Sequence, residues 1–405
     1  MSDLTALSGL VDPDAPGWSR VALTDFDNAG REWVRQQMAA LGLETRIDGA
    51  GNVIGRLPGA RPELGSIMTG SHTDTVEGGG RYDGIVGVTA ALECVRSLRD
   101  SGTRLNHDLL VVNFFSEEPN RFGISCIGSR ALTGHIKASD MDRLDSESHS
   151  FGHALQQVRV DPSALLTARM DMSKVRAFVE LHIEQGPHME EQGSQIGVVS
   201  SITGVKRFQA AFRGRPDHAG TTPMDRRQDA GCAAAGTVLA IEQIASSHAD
   251  GRGTTGLVTF SPEAVNVVTE VANLWGEFRS PDHAWLDDAV RRFEDAAQQE
   301  GRARSVTVEL DWLPSESPAV MDDALGTLVA QQADRLGLTR SRLYSGAEHD
   351  AAIIAKTVPT AMIFVPSHDG RSHCPEEFTN ERDVVAGTNV LLNTILQIDS
   401  QYGLD

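Results

Sequence analysis

The chain has 405 residues, is 40% hydrophobic and 23% charged, and carries 36 Lys and Arg against 56 Asp and Glu, a formal charge of −20. That length and apolar content are those of a globular protein of two domains, or of one domain with a large insertion, and they exclude a disordered chain. The acidic balance argues against the nucleic-acid backbone or an anionic membrane as the main partner. The first twenty residues lack the basic and apolar regions of a signal peptide, and Cys94, Cys126, Cys232 and Cys374 form no CxxC pair. The expectation is free thiols in a reducing cytoplasm and no membrane span.

In chain order, the apolar spacing predicts a helix over Asp25–Leu43, with Gly42 near its C-cap. A short strand follows at Gly65–Gly70, a helix at Gly84–Leu98 and a strand at Asp108–Phe115. Strand, helix, strand in that order reads as an α/β fold, a mostly parallel sheet flanked by helices. From Val205 to about Leu313 the pattern changes to four β-rich stretches and two helical ones, Gln228–Ser246 and Asp282–Glu300. This reads as an inserted α+β module, residues 205–314, inside a larger domain made of 1–204 and 315–405. The chain then returns to a helix at Asp323–Leu336, a strand at Thr360–Val365 and a closing helix at Glu381–Ile398.

Polar residues at the C-terminal ends of parallel strands line the ligand crevice of such sheets. Here the second strand ends in Ser71-His72-Thr73-Asp74, whose His and Asp share a face of an extended segment. A carboxylate beside a metal-bound imidazole holds its other ring N–H, although a surface His next to an Asp has the same spacing. The glycine-rich turn after it delivers Asp83 to the start of a helix, as an N-cap or as a metal-bridging carboxylate. After the next strand come Glu117 and Glu118; adjacent residues point in different directions, so one can ligate while the other acts as general base. Glu180-Leu181-His182 and Ser367-His368 to His373-Cys374 bring further histidines to strand ends. His and carboxylate without Cys suits hydrolytic zinc, manganese, cobalt or nickel.

The segments GSHTDTVEGGGRYDGIVGV, SEEPNRFG, ELHIEQGP, GRPDHAGTTPMDRRQDA, SGAEHDA and DGRSHCPEEFT, in that order over most of the chain, resemble the N-carbamoyl-L-amino-acid hydrolase and allantoate amidohydrolase family. These are amidases of the dinuclear-metal aminoacylase and carboxypeptidase superfamily. The resemblance implies two divalent ions, one held by His72, Asp83 and His182 and the other by Asp83, Glu118 and His373. It implies Glu117 as general base and Asp74 as the partner of His72. Peptidase branches carry a carboxylate where His182 stands, so this centre would be the more electropositive and the stronger Lewis acid.

The inserted module would be a lid and dimerisation domain, making the protein a homodimer. Its His218 would polarise the scissile carbonyl, often in the partner's site, unless it only caps a turn. Gln185, Asn266 and Arg279 match substrate contacts, Arg279 pairing with a substrate carboxylate unless it forms a surface salt bridge. The implied substrate is an N-carbamoyl-L-amino acid, with allantoate, ureidoglycolate and N-carbamoyl-β-alanine as alternatives. An aminoacylase or a dipeptidase ranks lower because of His182 and Gln185, and a catalytically silent relative because every expected ligand and Glu117 are present. Two positions depart from the family pattern, Glu348 within SGAEHDA and Cys374 after His373. His349 and Asp350 read as a second pair behind the metals or as structural residues. His107, His135, His149, His153, His188, His248, His283 and His368 have no constellation around them and read as structural or solvated.

Overall fold

The computed structural model describes residues 1–313 and 316–401, and two compact units emerge, Met1–Ser200 with Val320–Asp405 and Ser201–Ala319. The expected return from the insertion, between residues 314 and 315, lies outside the described residues. The strands of the first unit are β1 (Glu44–Ile47), β2 (Val53–Leu57), β3 (Ser66–His72), β4 (Asp108–Phe114), β5 (Val175–Ile183) and β6 (Ile196–Ile202). The second unit holds β7 (Gly204–Arg213), β8 (Arg252–Ser261), β9 (Val271–Ser280) and β10 (Thr307–Trp312). After it come β11 (Ala319–Val320), β12 (Arg340–Ser345) and β13 (Thr360–Val365).

Among the described residues the first unit is a mixed sheet in the order β1-β2-β4-β3-β5-β13-β6-β11, with β12 beside β6. Its centre, β4-β3-β5-β13, is parallel, and the pairs β1–β2, β2–β4 and β13–β6 are antiparallel. Every residue of β3 and β13 is buried, as strands covered on both faces must be. One cover is the helix Ile85–Asp100, whose Ile85, Val86, Val88, Leu92, Val95 and Leu98 are all buried; it packs against the closing helix Glu381–Gln401. Fully burying a Leu, Ile or Val side chain is worth about 1.5–3 kcal/mol, so this layer anchors the strand ends above it firmly. The helix Asp25–Ala40 begins two residues after Leu23, where Thr24 caps it by accepting the Asp27 N–H.

The register makes the strand ends level. His72 pairs across from Phe114, and His182 across from Phe364. Four parallel strands therefore deliver their following loops to one rim.

The second unit is an antiparallel sheet, β10-β7-β9-β8. Alternation along β7 and β9 turns Phe208, Ala210, Phe212, Ala272, Leu274 and Phe278 into a core with the helices Ala230–Ser246 and His283–Arg304. The Phe208 and Phe293 rings lie 4.0 Å apart at its centre. Strand β8 is an edge, ten residues long, with Leu257 and Phe260 exposed.

Candidate active site

At the rim of the parallel strands the ionisable residues crowd together, almost all of them buried. His72 ends β3, and its Nδ1 lies 2.9 Å from the Asp74 main-chain oxygen. A carbonyl only accepts, so Nδ1 carries the proton and the Nε2 lone pair is free. His182 repeats the pattern from β5: Nδ1 donates to the Ile183 carbonyl (2.9 Å), and Nε2 lies 3.1 Å from Asp83 Oδ1. The two rings are 5.8 Å apart. The Asp74 carboxylate stands 3.6 Å from His72 and instead accepts the Glu117 and Glu118 N–H groups (3.2 and 3.0 Å). The main chain of Asp74, rather than its side chain, thus orients the imidazole, and the carboxylate braces the loop after β4.

Asp83 faces two ways. Oδ1 approaches His182 and, at 3.9 Å, His72; Oδ2 lies 3.0 Å from His373 Nε2. His373 Nε2 is also 3.2 Å from Glu118 Oε1, a buried oxygen outside hydrogen-bond geometry with any neighbour. Two sets result, His72–Asp83–His182 and Asp83–Glu118–His373; within each the ligand atoms lie within 4.8 Å of one another, and the two share Asp83. Imidazole nitrogens converging on a shared carboxylate, a second carboxylate oxygen without a hydrogen bond and no thiolate form a donor set that fits hard to borderline divalent ions. Gly84, at φ +67, passes so close to His72 that a Cβ there would lie 2.4 Å from Nε2.

The electrostatics follow from the crowding. Burial pushes the Glu117 carboxyl well above the usual carboxylate range, and Glu118 and Asp350 push it further. Burial opposes the charge on His182 as well, but Asp83 outweighs it and lifts that imidazole to about 9. Asp83 and Glu118 lift His373 to about 11. Glu117 Oε2 lies 3.6 Å from His72 Nε2, and Glu117 belongs to neither ligand set.

Gln185, on a φ of +58, points Nε2 at Asp83 Oδ2 (2.9 Å), with His373 Nε2 at 3.2 Å. His349 and Asp350 do not pair with each other. The His349 ring packs on His182 at 4.4 Å and meets Ser345 Oγ through Nε2, while Asp350 accepts from Ser129 Oγ. Of the histidines read as structural, His107 contacts buried Asp399 and His368 sits on the surface beside Glu190.

Three groups were missed in the sequence. Glu377 accepts the Tyr82 and Asp83 N–H groups through Oε1 and the Ser372 hydroxyl through Oε2, tying the Asp83 turn to the His373 loop. Glu180, pushed up to about 7 by burial, takes the Ser71 hydroxyl and the Ala351 N–H. Cys126 lies against Glu117. The second Glu of CPEEFT and the Glu two before His182 were in view, but their partners are distant in sequence.

The second unit carries His218, Asn266 and Arg279. His218 bridges to Val267, and the Ala219 N–H donates to the Asn266 carbonyl (3.0 Å), so the first two are neighbours. His218 Nδ1 accepts the Gly220 N–H (3.0 Å), which leaves the proton of the neutral ring on Nε2. Arg279 stands at the other end of β9, eight residues from Val271, about 26 Å at the usual strand rise. Its Nε is bonded to Glu277.

Residues 68–397, carrying every proposed ligand and lid residue, match peptidase family M20/M25/M40. The chain belongs to that family. It is 34% identical to the ureidoglycolate hydrolase of Arabidopsis thaliana over 98% of this chain and 85% of that one. It is 36% identical to the N-carbamoyl-L-amino-acid amidohydrolase of Paenarthrobacter aurescens over 95% and 94%. The crystal structure of AtUAH in complex with (S)-hydroxyglycine superposes with a TM-score of 0.85, at 34% identity, over 99% and 97% of the two chains. The family member described here is a metal-dependent hydrolase of C–N bonds other than peptide bonds. Among the described residues no helix is long and apolar enough to cross a membrane.

Proposed function

We propose that the protein hydrolyses the ureido C–N bond of an N-carbamoyl-L-amino acid, yielding the amino acid, carbon dioxide and ammonia. The observation that carries this reading is Glu117. It is a buried carboxylate beside two ligand sets and a member of neither, 3.6 Å from His72. His72, Asp83 and His182 would hold one divalent ion, and Asp83, Glu118 and His373 the other. When bound, such ions (zinc, manganese, cobalt or nickel) supply Lewis acidity to the carbonyl oxygen and the attacking water.

The chain does the rest. Glu117, whose burial raises its affinity for a proton, takes one from the attacking water and passes it to the leaving nitrogen. His218 donates from Nε2–H to the developing oxyanion, the tautomer that its bond from Gly220 selects. Asn266 and Arg279 take the substrate carboxylate, and Gln185 orients the substrate beside Asp83. Arg279 exchanges its Glu277 partner for that carboxylate.

A carboxylate-bearing substrate a few ångström long does not reach from His218 to Arg279 on one lid domain. This separation supports a homodimer in which each active site takes these residues from different subunits. The exposed edge strand β8, with Leu257 and Phe260, supports the same reading. A second substrate, ureidoglycolate, is favoured by the similarity to the Arabidopsis enzyme over nearly the whole chain.

The test is ammonia release by the stripped protein reloaded with each metal. The panel is N-carbamoyl-L-amino acids, N-carbamoyl-β-alanine, allantoate and ureidoglycolate, with N-acetyl amino acids followed by amine release. Metal-dependent ammonia from an N-carbamoyl-L-amino acid supports the first reading, and from ureidoglycolate alone the second. Amine from the N-acetyl compounds alone overturns both.

A further inference from the structure

We infer that the Ser125–Cys126 turn, clamped by Arg130 and Glu348, is the element that aims the Glu117 carboxylate, with the Cys126 thiol as its positioning residue. The inference rests on the assignment of Glu117 as the base.

A carboxylate that shuttles a proton must keep one oxygen toward the reacting atoms, and rotation about its last torsion is soft. Here the two oxygens have different neighbours. Oε2 stands toward His72, and Oε1 receives the Cys126 S–H at a sulfur–oxygen distance of 3.5 Å. Both residues are buried. Burial pushes the thiol well above its ordinary range, so the donor proton is always in place. A thiol is a weak donor, so it orients Oε1 with little loss of the basicity the reaction needs.

The turn behind the thiol is built to hold this position. Cys126 sits at φ +52, in the left-handed region that a non-glycine residue occupies only when its surroundings impose it. Its N–H donates to the Glu117 carbonyl (2.8 Å), and the next two N–H groups donate to the Ser116 and Phe115 carbonyls (2.9 and 2.8 Å). On the other side, Ser125 Oγ donates to Glu348 Oε2 (2.9 Å), and Arg130 spans the gap. Its Nε donates to the Ser125 carbonyl (2.9 Å) and its terminal nitrogen to Glu348 Oε1 (3.0 Å). Glu348 is next to His349, whose ring packs on His182. Glu348, one of the two residues that depart from the family pattern, is thus the far anchor of the base, and it links the loop after β4 to the histidine layer on β5.

The experiment compares metal-loaded wild type with Cys126→Ala, Cys126→Ser, Glu348→Ala and the Cys126→Ala/Glu348→Ala double variant. It reads kcat and KM separately, with metal content and Tm. Cys126→Ala should lower kcat about tenfold, with KM and metal content unchanged, because only the aim of the base is lost. Cys126→Ser, which restores a donor, should recover kcat to within about threefold of wild type. Glu348→Ala should lower kcat as well, and the double variant should be no worse than Cys126→Ala, since the two act through one element. Wild-type kcat in Cys126→Ala, equal losses in the Ala and Ser variants, or a loss carried by KM or metal content would each overturn the inference.

The infrared S–H stretching band reads the contact without turnover. The component lost in Cys126→Ala should shift in Glu117→Ala and stay in place in Cys232→Ala. A shifted band in a protein that hydrolyses no ureido compound sinks the base assignment and leaves the contact standing. An unshifted band sinks the contact whatever the activity.

Discussion

Replacing Gly84 by Ala should perturb the proposed metal centre through a single methyl group, and the structure sets the size of the effect. A Cβ at this position lies 2.4 Å from His72 Nε2 and 2.5 Å from both carbons that flank it. Ordinary contact begins about 1 Å further out, so the imidazole must retreat by roughly that distance, and it is the ligating edge that is struck. The backbone φ of +67 adds strain of about 1–3 kcal/mol for any residue with a Cβ. Displacing a ligand by 1 Å costs about 10²-fold in rate, and disturbing its support costs about 10–100-fold in metal affinity.

Gly102 provides the control. It has a φ of +68, and a Cβ added there would meet nothing within 4 Å, so Gly102→Ala carries the strain without the collision. The assay is calorimetric metal titration of the stripped proteins, followed by Tm and kcat of the loaded ones. Both variants should lose Tm by several degrees; only Gly84→Ala should lose metal affinity and turnover. Equal metal affinity and kcat in the two variants would refute the placement of His72 Nε2 at a metal.

Glu117→Gln should lose about 10²–10⁴-fold in kcat while retaining its metal, measured by ammonia release and metal analysis; full activity would remove Glu117 as the base. His218→Ala should depress kcat without changing metal content, whereas His72→Ala should lose both. Metal binding should release protons. In the stripped protein His182, lifted to about 9, and His373, lifted to about 11, are protonated at neutral pH, and ligation requires their lone pairs. Affinity should therefore rise with pH from neutrality toward those values, and the binding enthalpy at pH 7.5 should depend on the ionisation enthalpy of the buffer. Buffer-independent heats would refute the protonated ground state. Added metal at about 100 times its Kd should raise the Tm of the stripped protein by roughly 3 °C for each ion bound, as about 2.7 kcal/mol of linkage per site predicts for a chain of this length.

The α/β class and the parallel centre were legible in the amino-acid sequence, because short, mostly apolar runs alternate with a helix between them, as strands covered on both faces require. So were the residue types at the strand ends. His72, Glu117, Glu118 and His182 were legible because each stands at the end of an apolar run, and Asp83 and His373 because the motifs that carry them occur in family order. Only the tertiary structure decided what they touch. The Asp74 side chain was expected on His72, yet the turn after β3 brings the Asp74 carbonyl onto Nδ1 and sends the carboxylate to the loop after β4. His349 and Asp350, adjacent in sequence, diverge because His349 is still extended and packs on His182, while Asp350 begins a helix and reaches Ser129. Glu377, Glu180 and Cys126 were illegible for one reason. A carboxylate or thiol gains its meaning from partners brought to it by folding: Tyr82 and Ala351 lie far from Glu377 and Glu180 along the chain, and Cys126 meets the Glu117 side chain only through the turn that follows β4.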